Sequence, residues 1–203
     1  MFIESPPKIY RLLFRGAHWR IKTGEKTVYL TFDDGPVPEI TPWVLDILDR
    51  YGIKATFFCV GANVCKHPDI YKMILDRGHA VGNHTFHHLQ GLKVNTSTYL
   101  SDIAQAADYI DSTLFRPPHG HIRFPQFHAV RKQYKIILWD VVTRDYSHLK
   151  TAEDVFCNVK QYTRDGSIIV FHDSIKAGDR MKLSLPVCID WLIDQGYAFR
   201  KIE

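Results

Sequence analysis

The stretch YLTFDDGPVP, residues 29–38, runs from an apolar strand pattern into two adjacent aspartates and a Gly-Pro pair. Neighbouring side chains of a continuing strand point to opposite faces, so paired carboxylates at its end need a physical reason. Gly35 and Pro36 end the strand, and the turn can bring Asp33 and Asp34 towards one site. A bound cation would remove the repulsion between these anions. The alternative is an ordinary Asp-Gly turn with solvated charges.

Composition and charge limit the class of protein. The 203 residues, 45% hydrophobic and 24% charged, predict one soluble globular domain. The net charge of +4 comes from scattered Lys and Arg residues, which argues against a nucleic-acid partner. No apolar run approaches the roughly 20 residues of a membrane helix, and residues 12–14 are too short for a secretory core. We therefore expect no transmembrane segment and a location that is cytoplasmic as the sequence stands, or in the cell envelope if it belongs to a longer chain. We also expect a monomer.

The four cysteines lack the CxxC spacing of a zinc knuckle or a redox pair. Because they sit among strand and helix residues, we expect buried free thiols, with disulfides as the alternative. They are Cys59, Cys65, Cys157 and Cys188.

Apolar strand patterns alternate with helical patterns along the chain. In the first helix, Thr41 is the expected N-cap, Pro42 the first helical residue, and Gly52 the end. The predicted strands are residues 27–33, 55–60, 80–85, 135–141, 167–173 and 197–202, and the predicted helices include 40–52, 68–78, 98–114 and 184–196.

Continuously apolar strands separated by helices indicate a parallel sheet buried on both faces. About seven such units favour an α/β fold, a single-domain distorted (β/α) barrel with about seven parallel strands, over an open doubly wound sheet. We expect residues 1–25 to form an N-terminal extension packed on a domain of residues 26–203. In either architecture the active groups belong at the carboxyl ends of the strands.

Histidines supply the partners for the paired aspartates. His84 and His88 in HTFHH are four residues apart, which puts both imidazoles on one side of a strand end or a helical turn. With one carboxylate from the first strand they form a three-ligand set with an open position, the arrangement of catalytic zinc. His87 is expected to point away and to be structural. The same set would also suit a non-haem Fe(II) oxygenase.

Two further segments carry polar groups at strand ends. The prolines and Gly120 of RPPHG, residues 116–120, fix a rigid loop that could aim a backbone N–H at an oxyanion, while Arg116 could pair with an aspartate. A rigid surface turn with a solvated arginine is the alternative. His172 follows four apolar residues, so it is either functional or a hydrogen-bonded core histidine.

Together these segments resemble the polysaccharide deacetylases, the NodB-homology family of carbohydrate esterases (family 4). The matching motifs occur in the family's order between Thr31 and His172: TFDDGP, HTFHH, RPPHG, WDVVTRDY and IIVFH. The first two are the most specific. The resemblance implies the distorted barrel already expected from the alternation, and an enzyme whose site has no missing group, unlike a sugar-binding module with a dead site.

The resemblance also implies a role for each group. Asp33 would be the general base, oriented by Arg116, and His172 the general acid. The metal ligands would be Asp34, His84 and His88, and the oxyanion or substrate-binding loop would contain Pro118, His119 and Gly120.

Two departures from the family pattern stand out. His119 replaces the usual aromatic residue of the third motif, which alters the groove wall and leaves a backbone N–H in place. In the fourth motif, Val142 replaces the first aspartate and Tyr146 the tryptophan. We expect Asp145 to support His172, with Asp140 as the second choice.

The function implied by the resemblance is metal-dependent hydrolysis of a linear amide C–N bond. The enzyme would remove N-acetyl groups from GlcNAc-type residues of a peptidoglycan or chitin-like substrate and release acetate, with one divalent ion, Zn²⁺ first and Co²⁺ second. The alternatives are deacetylation of O-acetylated xylan, or deformylation or deacylation of a lipid-linked or small amino sugar.

Overall fold

The structure is a computed structural model that describes residues 4–203. Its centre is a sheet in which every strand pairing is parallel. The strands are β1 (Thr27–Asp33), β2 (Thr56–Cys59), β3 (Ala80–Asn83), β4 (Leu114–Phe115), β5 (Lys135–Ile136), β6 (Val141–Val142), β7 (Ser167–His172) and β8 (Ala198–Phe199). The helices are α1 (Lys8–Leu13), α2 (Thr41–Arg50), α3 (Gly61–Lys66), α4 (Pro68–Asp76), α5 (Thr96–Ala107), α6 (Phe124–Val130), α7 (Ala152–Tyr162) and α8 (Gly178–Asp194).

The strand order is β5-β4-β3-β2-β1-β7-β6, and β8 pairs with the start of β1. The sheet curls into a half-barrel flanked by helices, and β1, between β2 and β7, is buried along its whole length. The predicted α/β fold, a single-domain distorted (β/α) barrel with about seven parallel strands, is confirmed.

Side-chain alternation along β1 places the first aspartate. Leu30 and Phe32 pack in the layer between the sheet and the helices. Tyr29 belongs to the interior cluster, so Thr31 and Asp33, two and four residues later, face the same side. The carboxylate of Asp33 therefore projects into the barrel at its carboxyl end.

The N-terminal segment lies along the open side of the sheet. His18 donates a backbone hydrogen bond to Ile136 (2.8 Å) and accepts one from Leu138 (2.8 Å). The ring of Phe14 stacks on Phe124 at 5.2 Å. These contacts hold residues 4–25 against the domain, while residues 1–3 of the predicted extension lie outside the described residues.

Several predicted elements have different bounds in the structure, among them the predicted helix 184–196, which is the longer α8, and the predicted strand 197–202, which is the shorter β8. Helix α2 begins at Thr41, so Thr41 is its first residue and the N-cap prediction is wrong; its hydroxyl instead accepts from Val37 N–H (2.8 Å). Helix α5 is capped by Asn95 and ends before Ile110, which is buried in the connection that follows and therefore extended the apolar pattern past the helix. The predicted strand 135–141 splits into β5 and β6, and helix α3 was not predicted.

Two of the four cysteines are buried as predicted, and two are exposed. All four cysteines are free; Cys59 and Cys188 are buried as predicted, but Cys65 and Cys157 are exposed because they lie on the outer sides of α3 and α7.

Within residues 4–203, no helix combines the length and apolar character needed to cross a membrane.

Candidate active site

The end of β1 explains the paired aspartates. Asp34 adopts a φ of 85°, which breaks the strand alternation and turns its carboxylate to the same site as that of Asp33. Its backbone carbonyl accepts from the Asn63 amide (2.7 Å), and the next N–H, that of Gly35, donates to the Asp173 carboxylate (3.1 Å). The local turn is thus fixed from two sides.

Asp34, His84 and His88 converge on one point. Asp34 Oδ1 lies 3.8 Å from His84 Nε2 and 3.2 Å from His88 Nε2, and the three ligand atoms all lie within 4.8 Å of one another. Ligands at about 2.0–2.2 Å from a tetrahedral Zn²⁺ are separated by just over 3 Å. The residues therefore fit a single divalent metal ion.

A hydrogen bond fixes the tautomer of His84. Its Nδ1 lies 2.7 Å from the backbone carbonyl of Arg116, which can only accept, so Nδ1 carries the proton and Nε2 offers its lone pair to the metal position. Burial lowers the pKa of His84 well below its usual value, and His88 adds to the effect. Burial would raise the pKa of Asp34, but the hydrogen bond to His88 and the surrounding imidazoles lower it overall. These shifts put His84 and Asp34 in the protonation states that bind a metal.

Strained backbone is concentrated around this point. Among residues 4–203, five non-glycine residues have positive φ, and each follows the carboxyl end of a strand: Asp34, Thr85, His88, His119 and Arg144. Such conformations cost on the order of 1–3 kcal/mol each and persist where the surroundings enforce them. These strained conformations orient the side chains of the site.

Asp33 and Arg116 form a buried ion pair beside the metal position. Arg116 is fully buried, and its Nη1 donates to Asp33 Oδ1 (2.6 Å) and to the Thr31 hydroxyl (2.8 Å). Its remaining donors reach the carbonyls of Ile137 and Leu138 at 3.2 Å. Burial raises the pKa of Asp33, while the guanidinium opposes that shift. A carboxylate with a raised pKa is a stronger general base.

His172 faces the site from β7 and is paired with Asp145. Asp145 Oδ1 lies 2.8 Å from His172 Nδ1, and Oδ2 accepts the backbone N–H of His172 at 2.8 Å. Burial would lower the pKa of His172, but the Asp145 carboxylate, with help from Asp34 and Asp33, raises it to about 9. The imidazole is therefore protonated at neutral pH, as a general acid requires.

The second-choice prediction, that Asp140 supports His172, is wrong. Its buried carboxylate accepts hydrogen bonds from Arg11 (2.5 Å), Arg164 (2.7 and 2.8 Å) and Ser167 (2.8 Å). Ser167 begins β7 and His172 ends it, so the two aspartates lie at opposite ends of the barrel. Because the predicted strand 135–141 is split into β5 and β6, Asp140 comes directly before β6 and lies at the amino end of that strand.

The RPPHG loop borders the metal ligands after β4. The ring of His119 lies 4.9 Å from that of His88, and its φ is 58°. In the described chain, the His119 N–H has no acceptor, whereas the N–H groups of Gly120 and His121 bond to Pro117 and Pro118. A Cβ at Gly120 would lie 2.5 Å from the Trp139 ring, so a glycine is required there.

Sequence reasoning missed Asp173, which organises the turn after β1. Its carboxylate accepts from Gly35 N–H (3.1 Å) and the Thr41 hydroxyl (2.6 Å), and its own N–H donates to the Asp33 carbonyl (3.1 Å). A side chain at Gly35 would collide with it, since a Cβ there would lie 2.0 Å from Oδ2. The signal available in the sequence was that an acidic residue, Asp173, directly follows the histidine that ends a strand.

His87 lies outside the cluster, as predicted. Its Nδ1 bonds to Asp102 of α5 at 2.6 Å, and its side chain is half exposed.

The open cleft beside the metal position has a volume of about 360 Å³ and is lined by Asp34, Val60, Ala62, Asn63, His87 and His88.

Comparison with known proteins identifies the family. Residues 20–134 match the family model for polysaccharide deacetylases. The chain belongs to the polysaccharide deacetylase family. The predicted resemblance and the predicted enzyme class are thereby confirmed.

Several polysaccharide deacetylases are similar to this chain over most of its length. A peptidoglycan-N-acetylglucosamine deacetylase of Bacillus cereus is 32% identical over 189 residues, covering 89% of this chain and 88% of that protein. The peptidoglycan-N-acetylmuramic acid deacetylase PdaC of Bacillus subtilis is 33% identical over 87% of this chain, which spans only 38% of PdaC. The crystal structure of the Bc1960 peptidoglycan N-acetylglucosamine deacetylase has a TM-score of 0.87 at 30% identity, covering 97% of this chain and 95% of that one.

Proposed function

We propose that this chain is a metal-dependent hydrolase that removes N-acetyl groups from GlcNAc-type residues of peptidoglycan or a related oligosaccharide and releases acetate. The convergence of Asp34, His84 and His88 on one point, with Asp33 and His172 close enough to Asp34 to interact with its charge, carries this proposal. The relatives named for peptidoglycan deacetylation support the choice of substrate.

Asp34, His84 and His88 would hold the metal. We assign Zn²⁺, with Co²⁺ as a substitute, because two imidazoles and one carboxylate with an open position are a catalytic-zinc donor set. When bound there, the ion supplies Lewis acidity, polarising the acetyl carbonyl and making water more acidic.

Asp33 takes a proton from the attacking water. Arg116 donates to Oδ1 of Asp33, which fixes the carboxylate and leaves its other oxygen free to accept that proton. In the barrel interior the Arg116 guanidinium also packs 4.0 Å from the Phe58 ring. The pair is therefore rigid, and its charge is balanced before substrate binds.

His172 delivers a proton to the departing amine. With its pKa near 9, the imidazole carries the proton at neutral pH and holds Nδ1 towards Asp145, so Nε2 is the donor to substrate. The unbonded His119 N–H lies in the loop beside His88 and is suited to stabilise the oxyanion of the acetyl carbon.

A non-haem Fe(II) oxygenase would need only the three ligands. It would leave two buried ion pairs without a role, Asp33 with Arg116 and Asp145 with His172, although buried pairs are costly to maintain. The hydrolase uses both pairs, so the geometry favours it.

Acetate release is the test of the proposed function. Purified protein is stripped with a chelator, reloaded with Zn²⁺ or Co²⁺, and incubated with GlcNAc oligomers, peptidoglycan, acetylated xylan and an N-formyl amino sugar. We expect metal-dependent acetate release from peptidoglycan or GlcNAc oligomers. Release only from xylan, only formate release, or turnover unaffected by metal removal would contradict the proposal. Oxygen uptake by the Fe(II)-loaded protein would favour the oxygenase.

A further inference from the structure

Helix α1 turns an apolar face to solvent. Ile9, Leu12 and Leu13 are 68%, 62% and 51% exposed, and their spacing of three and four residues puts them on one side of the helix. Phe124 at the start of α6 is 49% exposed and stacks on Phe14, the residue directly after α1. We call these four residues the α1 patch. Contiguous apolar side chains on a surface mark an interaction site more often than isolated ones do.

The other side of α1 fixes the helix to the domain. Arg11 pairs with the buried Asp140, and the Tyr10 ring packs at 5.4 Å from Phe14. Phe14 in turn stacks on Phe124 at 5.2 Å with an interplanar angle of 16°. The α1 patch is therefore presented on a structured base that joins α1 to α6.

The two segments that build this face carry no acidic residue. Residues 5–24 and 112–139 together hold ten of the 26 Lys and Arg residues and none of the 22 Asp and Glu residues. The rest of the chain is consequently net acidic. Two of the ten are not available at this surface, because Arg116 is buried against Asp33 and Arg11 pairs with Asp140.

Several of these cations are available for an external partner. Lys8, Arg15, Arg131 and Lys132 are exposed, and within residues 4–203 none of them forms an ion pair. The Arg131 guanidinium lies 3.9 Å from the position of a Cβ on Gly16, which places this cation, directly after α6, beside the N-terminal segment. The α1 patch therefore has a positively charged border.

We propose that the α1 patch and its cationic border form a docking surface for a bilayer containing anionic phospholipids. The apolar side chains enter the boundary between headgroups and acyl chains, and the cations contact lipid phosphates. A dissolved polyanion would contact the cations but leave the apolar side chains in water. A second copy of the chain would cover the apolar side chains but bring two positive borders together. A bilayer satisfies both features.

Vesicle co-sedimentation tests this surface without requiring turnover. The full chain is mixed at low salt with vesicles of phosphatidylglycerol and phosphatidylcholine, or of phosphatidylcholine alone. We expect binding to the anionic vesicles only, and release as salt is raised. Absence of binding to anionic vesicles at low salt would overturn the proposal.

Matched variants assign the binding to the α1 patch. Ile9→Ser/Leu12→Ser/Leu13→Ser should lower the bound fraction about tenfold, while Leu149→Ser/Ile175→Ser/Leu183→Ser, at similarly exposed positions, should bind like the wild type. Lys8→Gln/Arg131→Gln/Lys132→Gln should also lose binding. Equal binding by the first and second variants would overturn the proposal. So would sedimentation equilibrium showing a dimer that the first variant dissociates, or loss of binding to a soluble polyanion in that variant.

Discussion

Asp145 holds His172 through both of its carboxylate oxygens, one at 2.8 Å from Nδ1 and the other at 2.8 Å from the backbone N–H. This double contact orients the imidazole and also keeps it protonated. Burial alone would lower the pKa of His172, so its rise to about 9 depends on the negative charge of Asp145.

Asp145→Asn should therefore move the alkaline limb of the pH–rate profile. The acid form of His172 is needed, and in the wild type it persists up to about pH 9. Without the carboxylate charge, the limb should fall towards the ordinary histidine value, roughly 6.5. The measurement is kcat/KM for acetate release against pH. Asp140→Asn, at the other end of the barrel, should leave the limb in place, and equal shifts in both variants would refute the assignment.

Asp33→Asn should abolish turnover without releasing the metal. The amide keeps an acceptor for Arg116 but cannot take a proton from water, so kcat should fall by at least about 100-fold. Metal analysis of the variant should still find one ion per chain. Asp34→Asn is the matched variant, because it should lose the metal as well as the activity. Full activity in Asp33→Asn would exclude this residue as the base.

Removing Arg116 should be costly for the fold. Arg116→Met leaves the buried Asp33 carboxylate unpaired, and loss of one partner of a buried ion pair costs about 3–5 kcal/mol in the free energy of unfolding. Denaturant unfolding measures this change. The double variant Asp33→Asn/Arg116→Met should be less destabilised than Arg116→Met, because no buried charge lacks a partner. Equal loss in both would mean that packing dominates.

Asp173 should prove to be a positioning residue. Asp173→Ala removes the acceptor for Gly35 N–H and the Thr41 hydroxyl, costing about 1–3 kcal/mol of stability and loosening the turn that orients Asp34. We expect weaker metal binding and a lower kcat. Asp173→Asn retains an acceptor for Gly35 N–H and should recover most of both. If Asp173→Ala and Asp173→Asn bind the metal equally in a calorimetric titration, the hydrogen bonds of Asp173 do not position the site.

The sequence predicted the barrel because its central strands are buried on both faces. Strand β1 was found at its predicted bounds, since seven consecutive buried residues leave little room for another pattern. The short outer strands were less predictable: β5 and β6 have two residues each, and the break between them comes from hydrogen bonds to His18, far away in sequence. Local patterns do not contain such long-range contacts.

The grouping of the site residues was predictable because parallel strands bring their carboxyl ends together. What could not be predicted was which end of the barrel each loop aspartate occupies. Asp140 and Asp145 are five residues apart in the sequence, yet one binds arginines at the amino ends of the strands and the other binds His172. The structural role of Asp173 depends on an approach to Gly35 across 138 residues, which no local spacing encodes.

The most direct test is a calorimetric titration of the stripped protein with Zn²⁺. The wild type should bind one ion per chain with high affinity, and His84→Ala and His88→Ala should each lose that binding. His87→Ala, which removes a neighbouring imidazole outside the cluster, should bind like the wild type. Undiminished binding by His84→Ala or His88→Ala, or equal loss in His87→Ala, would contradict a single ion shared by Asp34, His84 and His88.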